Sequence, residues 1–360
     1  MDAFTDPTGL QILWFCLIGL MFLGYFVLEG FDFGVEMDLL ALGRGSSSRR
    51  STMLRTIGPL WDGNEVWLIA GGAAMFAAFP EWYATLFSGF YLPLLAILVA
   101  LIVRVCAFKY RDKREDAAWR GAWDVLHVLC GTAPALLWGV AFSNIAAGVQ
   151  LDENRWVTST LGELLNPFAL LGGLVFVLLF WLHGTLYLTL RTEGAIRADA
   201  RRLAAVLAVP VLLAGGAYLL WHQLAHSGTA VTWAALLVAA LALGAVLPAV
   251  RAGRERLAFA ATAVAIAAAT VQLFAGLFPS VLPAANDPAL SLTVANASSS
   301  EHTLLVMTVV TAILLPLVIA YQAWSYWVFR HRISGDEGPM PGTAAVAGLR
   351  RRYRDAFEQE

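Results

Sequence analysis

Glu29, Asp32 and Glu36 close a long apolar run in the segment EGFDFGVEMD, at spacings of three and four that place all three on one helical face. A charge at a bilayer centre costs about 2.5 to 3.5 kcal/mol on insertion scales, so these acids need water, a shared proton or a nearby arginine. Buried together they have the character of a proton relay; emerged into cytoplasmic water they are an ordinary helix end. A second set lies in GPLWDGNEVWLIAGGAAMF, residues 58–76, where Asp62 and Glu65 stand three apart and Asn64 supplies an adjacent hydrogen-bonding group. Carboxyls and waters in series can carry protons where one carboxyl takes up charge without an excessive penalty. The alternative is a helix-start cap beside an interfacial Trp61. Trp67 lies farther along the same run, where it could line a small-molecule route.

Arg104 and Asp124 fall near the inner ends of two further apolar runs, and an inter-span salt bridge between them is expected. His127, three residues after Asp124, could accept a hydrogen bond, shuttle a proton or ligate a haem iron; His183 is the other intramembrane histidine. No HExxH, CxxCH or multi-carboxylate metal pattern is present, so the sequence supports no autonomous metal centre. Cys16, Cys106 and Cys130 all sit in apolar runs without metal-ligand spacing and read as buried thiols.

The elements that must position these groups follow from composition. Of 360 residues, 59% are hydrophobic and only 14% charged, against roughly 25% charged in an average soluble domain. Apolar runs cover about residues 10–28, 57–79, 84–108, 121–146, 164–190, 203–222, 230–250, 256–278 and 303–329. Nine spans of about 20 residues leave only short loops and a modest tail. The runs are too long, and lack the period-two alternation, for a β-barrel. The expected fold is therefore an all-α polytopic membrane protein of nine transmembrane helices: two four-helix bundles plus one peripheral helix. Residues 1–150 form the first bundle with its carboxylates, 151–280 the second, 281–330 an outer loop and the ninth helix, and 331–360 a cytoplasmic tail.

Basic residues concentrate in alternate loops: Arg44, Arg49, Arg50 and Arg55; then Lys109 to Arg120; then Arg191 to Arg202; then Arg251, Arg254 and Arg256. Such loops stay on the cytoplasmic side, which sets the N-terminus outside and the C-terminus inside. With 24 basic against 26 acidic side chains and the basic ones confined to these loops, nucleic acid is not an expected partner; membrane lipids are.

The segments GFDFGV, WDGNEVWLIAGGAAMFAAFP, FSGFY and LNPF, with the later FP, SLT and ASSS elements, resemble the cytochrome bd quinol oxidase subunit II family over most of the chain. The resemblance implies a bacterial inner-membrane oxidase that uses quinol to reduce dioxygen to water and generates a proton-motive force. It implies a partner, subunit I, holding haem b558, haem b595 and haem d, with this chain haem-free and not catalytic alone. A structural quinone and small accessory membrane subunits also fall within what it implies. By resemblance Asp62 is a carboxylate of the cytoplasmic proton pathway, Trp67 lies beside the oxygen route, and Asp32 occupies the GFD position. The family often carries Gln where this chain has Glu65, which adds a negative charge near Asp62. Two other readings remain: a proton-coupled secondary transporter using Glu29, Asp32 and Asp62, and a purely structural membrane scaffold.

Overall fold

The computed structural model describes residues 6–334. Its helices, in chain order, are α1 (Gly9–Ala41), α2 (Ser47–Ile57), α3 (Trp61–Ala78), α4 (Pro80–Gly89), α5 (Tyr91–Tyr110), α6 (Ala117–Ala147), α7 (Leu161–Leu164), α8 (Pro167–Arg191), α9 (Gly194–Ala225), α10 (Ala230–Arg251), α11 (Glu255–Leu277) and α12 (Glu301–Val328). A short antiparallel pair, β1 (Ser280–Leu282) and β2 (Leu292–Thr293), closes the loop before α12.

Among the described residues eight helices are long and apolar enough to cross a membrane: α1, α5, α6 and α8 to α12. The expected second span, α3, is not among them, because Asp62, Asn64 and Glu65 dilute its 18 residues. It nevertheless runs antiparallel along α1. Asn64 meets Asp32, Trp67 fills the notch at Gly24, and Gly71 rests on Met21 and Phe22. At about 27 Å it covers nearly a hydrocarbon layer.

Two boundaries differ from expectation for identifiable reasons. The first span continues to Ala41 because its carboxylates find partners inside the protein and the helix has no cause to stop. It starts on a capping box in which Thr8 and Gln11 bond each other's backbone. The expected third span breaks at Phe90 into α4 and α5, where Pro93 has no N–H for the carbonyl four residues earlier.

Helices α1, α3, α5 and α6 pack on one another, as do α8 to α11, and α1 and α6 both lie against α8. The core is continuous across that junction: Phe22, Phe26 and Phe142 contact Phe176 and Phe274 in an edge-on and tilted aromatic array. Gly34 and Gly184 set the closest approach, since a Cβ on either would overlap the other helix's backbone. Helix α12 is peripheral, with Leu304 its one buried residue. It is tied on at one end by Trp14, whose indole donates to the Leu304 carbonyl at 3.1 Å, and at the other by Gln322 and Tyr326.

Candidate functional site

The face of α1 that carries Glu29, Asp32 and Glu36 is wholly buried, all three at 0% exposure, so this end of the helix has not emerged into water. Helix α5 brings Arg104, equally buried, into their midst. Its Nε donates to Glu36 Oε1 at 2.8 Å, its Nη1 donates to Glu29 Oε1, and Glu65 Oε1 lies 3.7 Å away. The guanidinium lies over the rings of Phe33 and Phe108, 5.0 and 5.6 Å from their centroids. From α3, Asn64 Nδ2 donates to Asp32 Oδ2 at 2.7 Å. From α6, His127 Nδ1 lies 3.2 Å from Glu36 Oε1. The structure thus gathers Glu29, Asp32, Glu65 and Arg104 into one cluster on three helices, which His127 of α6 joins through Glu36.

One guanidinium faces four carboxyl groups there. In a low-dielectric interior, uncompensated like charges at these separations are far too costly to persist. Charge balance over the whole set, not any single pair, therefore fixes how many protons it holds. The cluster is an ionic network that is buried except at Glu65.

Asp62 stands elsewhere. It is exposed on α3, at the head of a stripe of Val66, Ile69, Ala73 and Phe76 that is otherwise apolar and that this chain leaves uncovered. Glu65, one turn along, has a side chain 15% exposed and bridges that surface to Arg104. Trp67 is half-buried against α1 at Gly24, facing the core and not the stripe.

The expected pair between Arg104 and Asp124 does not form. Asp124 is held by Arg111 Nε at 2.6 Å and Arg50 Nε at 2.7 Å. In the antiparallel hairpin of α5 and α6, Asp124 lies level with Arg111. Arg104, seven residues earlier, sits about 10 Å deeper, level with Gly131 and the carboxylates of α1.

Several participants were missed. Gln322 and Tyr326 of α12 both donate to Asn64 Oδ1, at 3.0 and 2.7 Å, and their four-residue spacing in an apolar helix was a usable signal. Asp38, buried, accepts from the Trp181 indole at 2.7 Å. Glu255 gathers Arg197, Arg201 and Arg332 at the basic end. These depend on long-range packing that local sequence does not encode.

The histidines buried within the helices differ in how far their ring nitrogens are engaged. His183 is engaged at both ring nitrogens, with Thr262 Oγ1 at 2.7 Å and the Val27 carbonyl at 3.1 Å. His127 faces Glu36 through Nδ1, while its Nε2 and both ring nitrogens of His222 have no partner among the described residues. A cavity of about 550 Å³ among α3, α4, α5 and α6 is lined by Leu68, Phe76, Trp82, Leu94 and other apolar groups, with no histidine or cysteine. No group of three or more metal-binding side chains occurs among the described residues.

Fold and site together define a polytopic helical membrane protein whose interior holds a buried ionic cluster. The family model described as cytochrome bd terminal oxidase subunit II matches residues 10–329, and the chain belongs to that family. It is 38% identical to cytochrome bd ubiquinol oxidase subunit 2 of Bacillus subtilis (strain 168), over 92% of this chain and 99% of the relative. It is 35% identical to cytochrome bd-I ubiquinol oxidase subunit 2 of Escherichia coli (strain K12), over 92% and 97%. The fold is similar to that in "The structure of bd oxidase from Geobacillus thermodenitrificans", with a TM-score of 0.74 over 89% of this chain and 99% of that one, at 18% identity. The chain is accordingly a subunit of a respiratory oxidoreductase complex of the bacterial inner membrane, a complex that contains haem. These relatives lend no support to a transporter.

Proposed function

We propose that this chain is the haem-free subunit II of a cytochrome bd quinol oxidase and supplies proton access to the redox centre of subunit I. The carrying observation is the gradient of burial from Asp62, exposed, through Glu65, 15% exposed, to the Arg104 cluster at 0%. Asp62 marks the seam where subunit I docks, on the uncovered stripe of α3 beside α12. Subunit I would hold haem b558, haem b595 and haem d, which would supply the electron transfer from quinol, oxidised at the outer side, to dioxygen. The acids of this chain take up protons from the cytoplasmic end and hand them across the seam. Release and uptake on opposite sides build the proton-motive force without a conformational pump.

One basic end supports the orientation proposed for the chain. Arg49, Arg50, Arg111, Arg197 and Arg332 converge there in ion pairs, and clustered basic residues mark the cytoplasmic side. On this reading the N-terminus lies outside, the C-terminus inside, and α3 makes the ninth crossing. Residues 1–150 are the working half, 151–280 the second helical group that backs it, 281–330 the outer loop and α12, and 331–360 a cytoplasmic tail lying beyond the described residues except at its start.

Trp67, between the cluster and the apolar cavity, borders the route by which oxygen passes. The cavity suits the chain of a structural quinone: its lining is almost wholly apolar, and the Trp82 indole N–H has no acceptor among the described residues. Lipids and small accessory membrane subunits cover the remaining apolar exterior. The test is proton-uptake kinetics in reconstituted Asp62→Asn complex at normal haem occupancy. Slowed uptake is expected, and uptake at the wild-type rate overturns the route.

A further inference from the structure

Glu36 and His127 occupy a part of the cluster that the route through Asp62 does not require. Glu36 Oε1 receives Arg104 Nε at 2.8 Å and lies 3.2 Å from His127 Nδ1, and neither side chain has exposed surface. Glu36 Oε2, His127 Nε2 and Arg104 Nη2 have no hydrogen-bond partner among the described residues, nor do Glu29 Oε2 and Asp32 Oδ1. Five such atoms on three helices would cost about 1 to 3 kcal/mol each if left dry. A polar site of this kind is where buried water belongs. Helix α6 leaves space beside the carboxylate by placing Gly131 there, where a Cβ would stand 2.9 Å from Glu36 Oε2.

We propose that Glu36 and His127 form a proton-holding pair behind Arg104, loaded through internal water and feeding the route argued above, on which this inference rests. One proton from cytoplasmic water binds at His127 Nε2, giving an imidazolium opposite the Glu36 carboxylate. The Nδ1 proton then passes to Glu36 Oε1, leaving a neutral imidazole and a neutral acid. No electrons move, and the internal transfer leaves the net charge unchanged. Arg104 connects the pair to Glu65 and so to Asp62. The charged and titratable groups that act on Glu36 are Glu29 and Asp32 of α1, Glu65 of α3, Arg104 of α5 and Cys130 of α6, while Tyr25, Tyr187 and Tyr326 face Glu29 or Asp32 of the same cluster. Arg104 is the one permanent cation within the cluster.

The experiment uses the intact two-subunit complex, with assembly verified by its haem spectrum. Infrared difference spectra across a pH step, with ring-labelled histidine, should show an imidazole band titrating together with a carboxylic C=O band. His127→Gln should remove the first and Glu36→Gln the second, and each should lower proton uptake on reduction by about one proton per complex. Should one variant fail to assemble, the other and the wild-type spectrum decide the question. A wild-type spectrum without a histidine band linked to a carboxylic band overturns the pair. If Asp62→Asn slows uptake while His127→Gln keeps full stoichiometry and the wild-type pH profile, the pair is a static brace and only this inference fails. If Asp62→Asn changes nothing, the route itself fails.

Discussion

Arg104 Nε and Glu36 Oε1 meet at 2.8 Å with no exposed surface on either side chain. That contact joins α5 to the far end of α1 and makes one cation answer for acids from two helices. Removing it leaves buried carboxyls without a counter-ion, which in proteins costs about 3 to 5 kcal/mol. Arg104→Gln should therefore lower the melting temperature of the solubilised complex sharply. Arg104→Lys should fall between, because a point ammonium keeps the charge but cannot fork to Glu29 and Glu36 together. Equal melting of Arg104→Gln and wild type would show that the cluster contributes nothing to the fold.

The crossing of α1 and α8 at Gly34 and Gly184 leaves no volume for a side chain. Gly184→Leu should separate the helices and destabilise the complex by about 3 kcal/mol or more, at the upper end for overpacking. Gly216→Leu on α9, where a Cβ meets nothing within 4 Å, is the matched control and should be tolerated. Yield and thermal melting of the two complexes read the difference. If both substitutions behave alike, the contact is not as close as described.

Tyr326 OH and Gln322 Nε2 share Asn64 Oδ1, so α12 is pinned to the base of α3 by one amide oxygen. A double-mutant cycle of Tyr326→Phe with Asn64→Ala isolates that bond. The expected coupling is about 1 kcal/mol, the net worth of a hydrogen bond between neutral groups. Zero coupling in thermal or denaturant melts would mean that lipid and partner contacts alone hold the helix.

The apolar runs and the alternation of basic loops were readable because lipid demands about 20 apolar residues per crossing and retains arginine on one side. The extent of α1 was not, since Glu29, Asp32 and Glu36 read as the edge of a span until Arg104, Asn64 and His127 are known to surround them. Asp62 and Glu65 were legible as a pair, yet their three-residue spacing does not say that one is exposed and the other turned toward a cation. The pairing of Arg104 failed for a related reason. Which residues of two antiparallel helices lie level depends on the length of the turn between them, here residues 111–116, and sequence gives charge without depth. Cofactor placement depends on cavity shape and on free ring nitrogens, and those exist only after packing.

Outside the membrane, Glu163 closes a capping box on α7: its Oε2 accepts from the Thr160 backbone N–H at 2.7 Å and from Thr160 Oγ1 at 3.0 Å, while Oε1 accepts from Gln150 at 3.1 Å. The Thr160 amide bond, then its hydroxyl, holds the Glu163 carboxyl below the usual glutamate range. A carboxyl with a depressed value favours the folded loop above its unfolded value, and that contribution disappears as pH falls through the lower, folded one. Exchange protection of the Thr160 amide, corrected for intrinsic rate, should therefore persist below the ordinary glutamate range and fail only in stronger acid. Glu163→Gln should show weaker protection with no such acid transition and normal oxidase turnover at neutral pH. Loss of protection at the pH of a free glutamate, or the same transition in the Gln variant, would remove Glu163 as the group responsible.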